Sequence, residues 1–175
     1  MTNYNQHIRE VLDFPKPGVA FLDISPLLAN PEAFRKAITD MSEGVEPTHV
    51  VGFDARGFLF ATPIAQTCNA GTVMLRKPGK LPGDVDSVAY DLEYGQNRLE
   101  IQSNILQPGD NALLVDDVIA TGGTASAGIE LVRRTGANII GFHALIDIVE
   151  LGGRSRIEAL GVPVRALVEI GAVAS

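Results

Sequence analysis

Short apolar runs rich in β-branched residues alternate along this chain with longer stretches whose apolar positions recur at helical spacing. His49-Val50-Val51-Gly52-Phe53, Gly71-Thr72-Val73-Met74-Leu75 and the segments 111–115, 139–148 and 162–170 read as buried strands. Segments 32–41, 58–67 and 125–134 read as helices. The first sets Ala33, Phe34, Ala37, Ile38 and Met41 on one face, and the second is apolar almost all round, so it should be well buried. Ser25-Pro26 and Asn30-Pro31 are helix-start chemistry, Gly136 is a helix stop, and Gly161 ends a short helix that begins after Leu151-Gly152-Gly153. Residues 3–13, with Ile8, Val11 and Leu12 on one side, predict a short amphipathic helix broken by Phe14-Pro15-Lys16-Pro17-Gly18. Polar and apolar residues alternate on both sides of Tyr94-Gly95-Gln96-Asn97, which predicts a hairpin over 90–101 with a mobile tip. Strands separated by helix-length patterns describe an α/β fold, a doubly wound, mostly parallel sheet flanked by helices, with ligands bound beyond the strand C-termini.

One junction organises the rest. Leu113-Leu114-Val115 enters it, Asp116-Asp117 follows, and Val118-Ile119-Ala120-Thr121-Gly122-Gly123-Thr124 leads into a helical pattern. Successive N–H groups of residues 120–124 can converge on one anion, helped by the positive end of the next helix and by the hydroxyls of Thr121 and Thr124. Asp116 and Asp117 cannot face that anion without repulsion. They would accept hydrogen bonds from something neutral beside it, such as vicinal hydroxyls, and phosphate next to a diol means a sugar phosphate. The turn lacks the Lys of a Walker loop and the glycine spacing of a dinucleotide fingerprint. An acidic pair after a buried strand also marks metal-binding or phospho-acceptor sites.

Composition narrows the classes. The 175 residues suit one domain (1–175) with one sizeable core, and 46% apolar with 20% charged residues is the balance of an ordinary soluble globule. A net charge of −7 argues against nucleic-acid or anionic-membrane surfaces, though not against a polyanionic substrate in a local cleft. The single Cys68 excludes an internal disulfide framework and fits a reducing compartment. The polar N-terminus has no signal-type apolar core and no run is long enough to cross a bilayer, so a cytoplasmic protein is expected.

Val115-Asp116-Asp117, two apolar residues, then Ala120-Thr121-Gly122-Gly123-Thr124 resembles the 5-phosphoribosyl-1-pyrophosphate (PRPP) signature of type I phosphoribosyltransferases, in the form typical of adenine-specific members. Four further segments match that family in order, and the resemblance runs from about residue 14 to 161. The segment from Phe14-Pro15 through Phe21 to Ile24 resembles the family's N-terminal hood, which implies a hood or strap over about 1–30. Phe21 would stack on the purine, with backbone groups around Ala20 and Leu22 reading its edge; read alone, such a Phe is ordinary core filling. Leu22 departs from the family's usual Arg or Lys, so any contact by a basic side chain is absent. Ala55-Arg56-Gly57-Phe58 resembles the pyrophosphate loop, although an ion pair between Arg56 and Asp54 would also explain an Arg at a buried strand's end. Arg76-Lys77-Pro78-Gly79-Lys80-Leu81-Pro82 resembles a further pyrophosphate-binding segment that partly reaches across a dimer interface; by itself it reads as a solvated charge cluster. Tyr90-Asp91-Leu92-Glu93-Tyr94-Gly95 resembles the family's flexible lid, about 78–102 here, which would give Glu93 the proton transfer at the purine and Tyr94 the closing flap. Without that match Glu93 is a solvated strand residue.

The resemblance implies a purine-salvage enzyme that transfers phosphoribosyl from PRPP to adenine, giving AMP and pyrophosphate. It also implies a homodimer and Mg²⁺ held mainly by PRPP and water, with no protein metal cage. Two alternatives share the fold: transfer to hypoxanthine, guanine or xanthine, and a non-catalytic PRPP sensor that regulates transcription.

Overall fold

A computed structural model describes residues 3–92 and 95–171, and of residues 91, 92, 95 and 96 it describes the backbone alone. The chain begins with a 3-10 turn, Tyr4–His7, and then β1 (Arg9–Val11), which pairs antiparallel with β2 (Phe21–Asp23). The amphipathic helix expected over 3–13 is therefore corrected to a turn and a strand. An isolated helix of that length is marginal. Pairing instead brings Arg9 opposite Asp23, where Arg9 Nη2 lies 2.6 Å from Asp23 Oδ2. Asp23 also accepts from the Ser25 N–H at 2.8 Å, and these hydrogen bonds, led by those from Ser25, hold its carboxyl down at about 2.

Next come α1 (Ser25–Ala29) and α2 (Pro31–Ser42), and the Asn30 side chain caps α2 by accepting from the Glu32 and Ala33 N–H groups. The remaining elements alternate: β3 (His49–Phe53), α3 (Gly57–Thr67), β4 (Gly71–Leu75), the hairpin of β5 (Val85–Leu92) and β6 (Gly95–Gln102), β7 (Asn111–Ile119), α4 (Gly123–Arg134), β8 (Asn138–Ile148), α5 (Gly153–Ala159) and β9 (Val164–Ile170).

β4-β3-β7-β8-β9 form a five-stranded sheet whose neighbours all pair in parallel. In that order the second strand of the sheet lies outside the first and the later strands extend the other way. The connections therefore diverge between β3 and β7, the switch point where open α/β sheets bind ligands. Two cores cover the two faces. One joins Val50, Leu113, Val115 and Leu145 of the sheet to Leu27, Met41, Phe60 and Ile64 of α1, α2 and α3. The other joins Val51, Phe53, Leu75, Leu114 and Phe142 to Ile129 and Val132 of α4 and to Val88, Leu99 and Ile101 of the hairpin. The stem of the hairpin is thus part of the core, each such side chain worth about 1.5–3 kcal/mol of burial. No helix among the described residues is long and apolar enough to cross a membrane.

His143 is buried on β8 with Nδ1 2.6 Å from the Met41 carbonyl oxygen. Burial holds its pKa below the ordinary value of 6.5, outweighing the carbonyl's opposite effect. The unfolded chain therefore takes up the proton first. This contribution to stability is complete above about pH 6.5 and falls away below it, toward the lowered folded-state value. Thermal unfolding between pH 7.5 and 5 is expected to show the native chain losing more stability than His143→Gln; equal losses would show that His143 takes up its proton equally in the folded and unfolded states.

Candidate active site at the switch point

α3 and α4 start from β3 and β7, on either side of the switch point, and neither carries a side-chain cap. The starts of α1 and α5 lack one too, while Asn30 caps α2; at α3 the Phe58 and Leu59 N–H groups donate to the Ala55 and Arg56 carbonyls at 3.3 and 3.1 Å, and it is the start of α4 that lines the crevice, where N–H groups can serve an anion. Gly122 precedes α4 at φ 77°, a conformation that favours glycine, and turns the chain sharply. Asp116, Val118, Ile119, residues 120–125 and Phe142 line a concavity of about 90 Å³ there, the size of one small group rather than a nucleotide. A larger concavity of about 500 Å³, lined by Leu28, Phe34 and Pro63 among others, lies among α1, α2 and α3, away from the start of α4.

β7 runs through the acidic couplet to Ile119, past the end expected for it. Arg56 Nη2 stands 2.7 Å from Asp117 Oδ2, a charge contact without an aligned hydrogen bond, so that buried oxygen keeps an open acceptor position. Arg56 Nη1 donates to the Leu22 carbonyl at 3.0 Å, and its guanidinium lies 4.7 Å from the centre of the Phe21 ring. Asp116 Oδ1 accepts from the Asp117 N–H at 2.9 Å. It also lies close to Gly57, where a methyl group would meet the Val115 carbonyl oxygen at 2.8 Å and Asp116 Oδ1 at 3.0 Å. Gly57 thus lets α3 start directly against the couplet. Burial pushes both carboxyls above the ordinary range; Asp116 goes further because of the Asp117 charge, and Arg56 partly offsets the rise in both.

Two carboxylates, an Arg and the glycine-turned start of α4 in one crevice suit a ligand that carries separate anionic groups and hydroxyls. Residues 24–165 match the phosphoribosyl transferase domain. The adenine phosphoribosyltransferase of Rhizobium meliloti (strain 1021) is 48% identical over 165 residues, covering 93% of this chain and 92% of that one. The chain belongs to the adenine phosphoribosyltransferase family. A crystal structure of the family's member from Rhodothermus marinus superposes with a TM-score of 0.90 at 44% identity, covering 95% of this chain and 96% of that one. The member from Saccharomyces cerevisiae, solved with an imino-altritol bisphosphate and adenine, gives a TM-score of 0.86 at 36% identity, with 94% and 96% covered.

Against the family's expected pattern, the structure gathers Asp116, Asp117 and Ala120, Thr121, Gly122, Gly123 and Thr124 at one end of β7 and brings Arg56 to them. The ion-pair partner of Arg56 is Asp117, not Asp54. Asp54, at the end of β3, instead faces Arg76 Nε at 3.3 Å and Lys80 Nζ at 3.7 Å, while Lys77 is exposed. Ala20 and Phe21 are half-buried, Phe21 under the Arg56 guanidinium, with Phe14 edge-on to Phe21 at 5.2 Å. Leu22 is buried with Tyr4, Ile24 and Leu27, which is why this position takes an apolar residue. Glu93 and Tyr94 lie outside the described residues. Sequence reasoning missed Val118 and Phe142, whose apolar types read as core. It also missed Tyr90, whose hydroxyl lies 3.4 Å from Thr124 Oγ1.

Proposed function

We propose that the protein transfers the 5-phosphoribosyl group of PRPP to adenine, releasing pyrophosphate and AMP in purine salvage. The observation that carries this reading is the uncapped, glycine-turned start of α4 beside two adjoining carboxylates, Asp117 buried and Asp116 half-buried, at the sheet's switch point. Residues 120–124 would hold the 5-phosphate, and Asp116 and Asp117 would accept from the ribose hydroxyls. Arg56, with Arg76, Lys77 and Lys80, would grip the pyrophosphate. Phe21 would stack on adenine, and backbone groups near Ala20 and Leu22 would read its edge. As pyrophosphate departs, C1 of the ribose gains cationic character, N9 of adenine attacks from the opposite face, and Glu93 takes the proton at N7. Closure by the 78–102 hairpin under the 1–30 hood would keep water from the electrophilic sugar.

Among the described residues no three His, Cys, Asp or Glu side chains are grouped to hold a metal ion. Mg²⁺ would arrive with PRPP, since this ion takes phosphate and water oxygens with only one or two carboxylates. It supplies neutralisation of the leaving pyrophosphate. A homodimer belongs to the same reading, supported by exposed Leu59 on α3 and Met74 on the edge strand β4, two apolar side chains of the kind an interface covers. A cytoplasmic location rests on the lone Cys68 and on the family.

Pyrophosphate release measured with adenine, hypoxanthine, guanine and xanthine tests the proposal. Turnover is expected with adenine alone and only with Mg²⁺. A rate with another base and none with adenine would move the protein to that base, and PRPP binding without turnover on any base would make it a sensor.

A further inference from the structure

α5 sets its first residue against the back of the glycine-threonine turn. Gly153 is buried, and a methyl group on it would stand 2.2 Å from the Ala120 carbonyl oxygen, 2.7 Å from Ile119 Cγ2 and 2.9 Å from the Gly122 nitrogen. The approach is reciprocal, since a methyl on Gly122 would meet the Gly153 oxygen at 3.0 Å and its Cα at 3.1 Å. Backbone therefore packs on backbone where no side chain fits. The two neighbouring glycines serve different ends. Gly152 has φ 69° and nothing within 4 Å of an added methyl, so it is there for its conformation, whereas Gly153 is not at positive φ and is there for the contact.

A half-buried ion pair holds α5 in that position. Asp147 near the end of β8 is almost fully buried, and Arg154 Nε donates to its Oδ2 at 2.7 Å while Arg154 Nη2 reaches Glu169 Oε1 on β9 at 3.1 Å. Asp147 is also the pairing partner of Ile119 on β7, one residue before the turn. The pair thus ties together the strand ends that support the turn and the helix that backs it.

We infer that Gly153 is a positioning residue for phosphoribosyl binding, its bare backbone setting the curvature of residues 120–124 and the Asp147–Arg154 pair serving as the strut that keeps it there. This rests on the reading of 120–124 as the phosphate cradle. Ordinary carbon contacts begin near 3.4 Å, so a methyl at 153 would drive the Ala120 carbonyl back by about 1 Å and turn the adjoining N–H groups away from the phosphate. Misplacement on that scale costs on the order of a hundredfold.

Steady-state kinetics, AMP titration calorimetry and thermal melting on Gly153→Ala, Gly152→Ala and Thr124→Val test the inference. Gly153→Ala is expected to raise the KM for PRPP and the Kd for AMP about tenfold or more, with the KM for adenine at saturating PRPP little changed. Gly152→Ala should melt earlier yet keep the native KM for PRPP. A native KM for PRPP in Gly153→Ala, or an equal rise in the KM for adenine, overturns the inference. If Thr124→Val weakens AMP and Gly153→Ala does not, the cradle stands and the strut falls. If neither weakens AMP, the cradle reading fails and takes the strut with it. Should Gly153→Ala not fold, Arg154→Gln loosens the strut without placing atoms in the turn. It should raise the KM for PRPP severalfold with the KM for adenine unchanged, and an unchanged KM for PRPP there rejects the idea.

Discussion

Arg56→Ala is expected to lower kcat/KM for PRPP by about 10²–10³-fold, the loss that follows removal of one preorganised charge donor from a transition state. Arg56 touches three parts of the crevice at once. It stands 2.7 Å from Asp117 Oδ2, donates to the Leu22 carbonyl at 3.0 Å, and lies over the Phe21 ring at 4.7 Å. The proposed pyrophosphate cation therefore also anchors the strap that would carry adenine. Its charge offsets part of the rise in the Asp116 and Asp117 pKa values, so those values climb further without it. An ionised couplet is the better acceptor for ribose hydroxyls, and the acid limb of the kcat/KM profile should accordingly move to higher pH in Arg56→Ala. Arg56→Lys keeps a charge but not the planar fork that serves Asp117 and Leu22 together, and should fall between the two. Kinetics over pH 5 to 9 measure both effects; a loss under tenfold with an unmoved acid limb would remove Arg56 from the site.

Glu93→Gln should reduce kcat by about 10²–10⁴-fold, the usual share of general acid–base catalysis, while PRPP affinity stays almost native. The Gln side chain keeps the size of Glu and one acceptor oxygen but cannot take a proton. Glu93 lies outside the described residues, and its role rests on the family and on what precedes it. Tyr90, three positions earlier on β5, brings its hydroxyl to 3.4 Å from Thr124 Oγ1, and the hairpin stem is locked into the core through Val88, Leu99 and Ile101. The chain is thereby delivered to the crevice before it reaches Glu93. Rapid-quench turnover and PRPP titration separate the two quantities. A kcat within threefold of native would take the proton transfer away from Glu93.

Much of this was legible in one dimension because the signals are local. The parallel strands announce themselves as β-branched runs, Asn30-Pro31 does start α2, and Ala120-Thr121-Gly122-Gly123-Thr124 does end β7 and open α4. The N-terminus misled for the complementary reason. Ile8, Val11 and Leu12 carry helical spacing, yet β1 gains its hydrogen bonds and the Arg9–Asp23 ion pair from β2, a partner beyond the two prolines.

The amino-acid sequence by itself determined the α/β class, the glycine-threonine turn between β7 and α4 and the acidic couplet beside it, since each depends on residues within one turn of a helix or one strand of one another. Only the tertiary structure decided which charges meet. Arg56 pairs with Asp117 rather than Asp54, Asp54 collects Arg76 and Lys80, and Gly153 fits against Ala120 and Gly122. The reason is physical. A buried charge must find an opposite charge, and a close backbone contact must find a position without a side chain, but which partner is available depends on how the parallel sheet brings β3, β7 and β8 side by side.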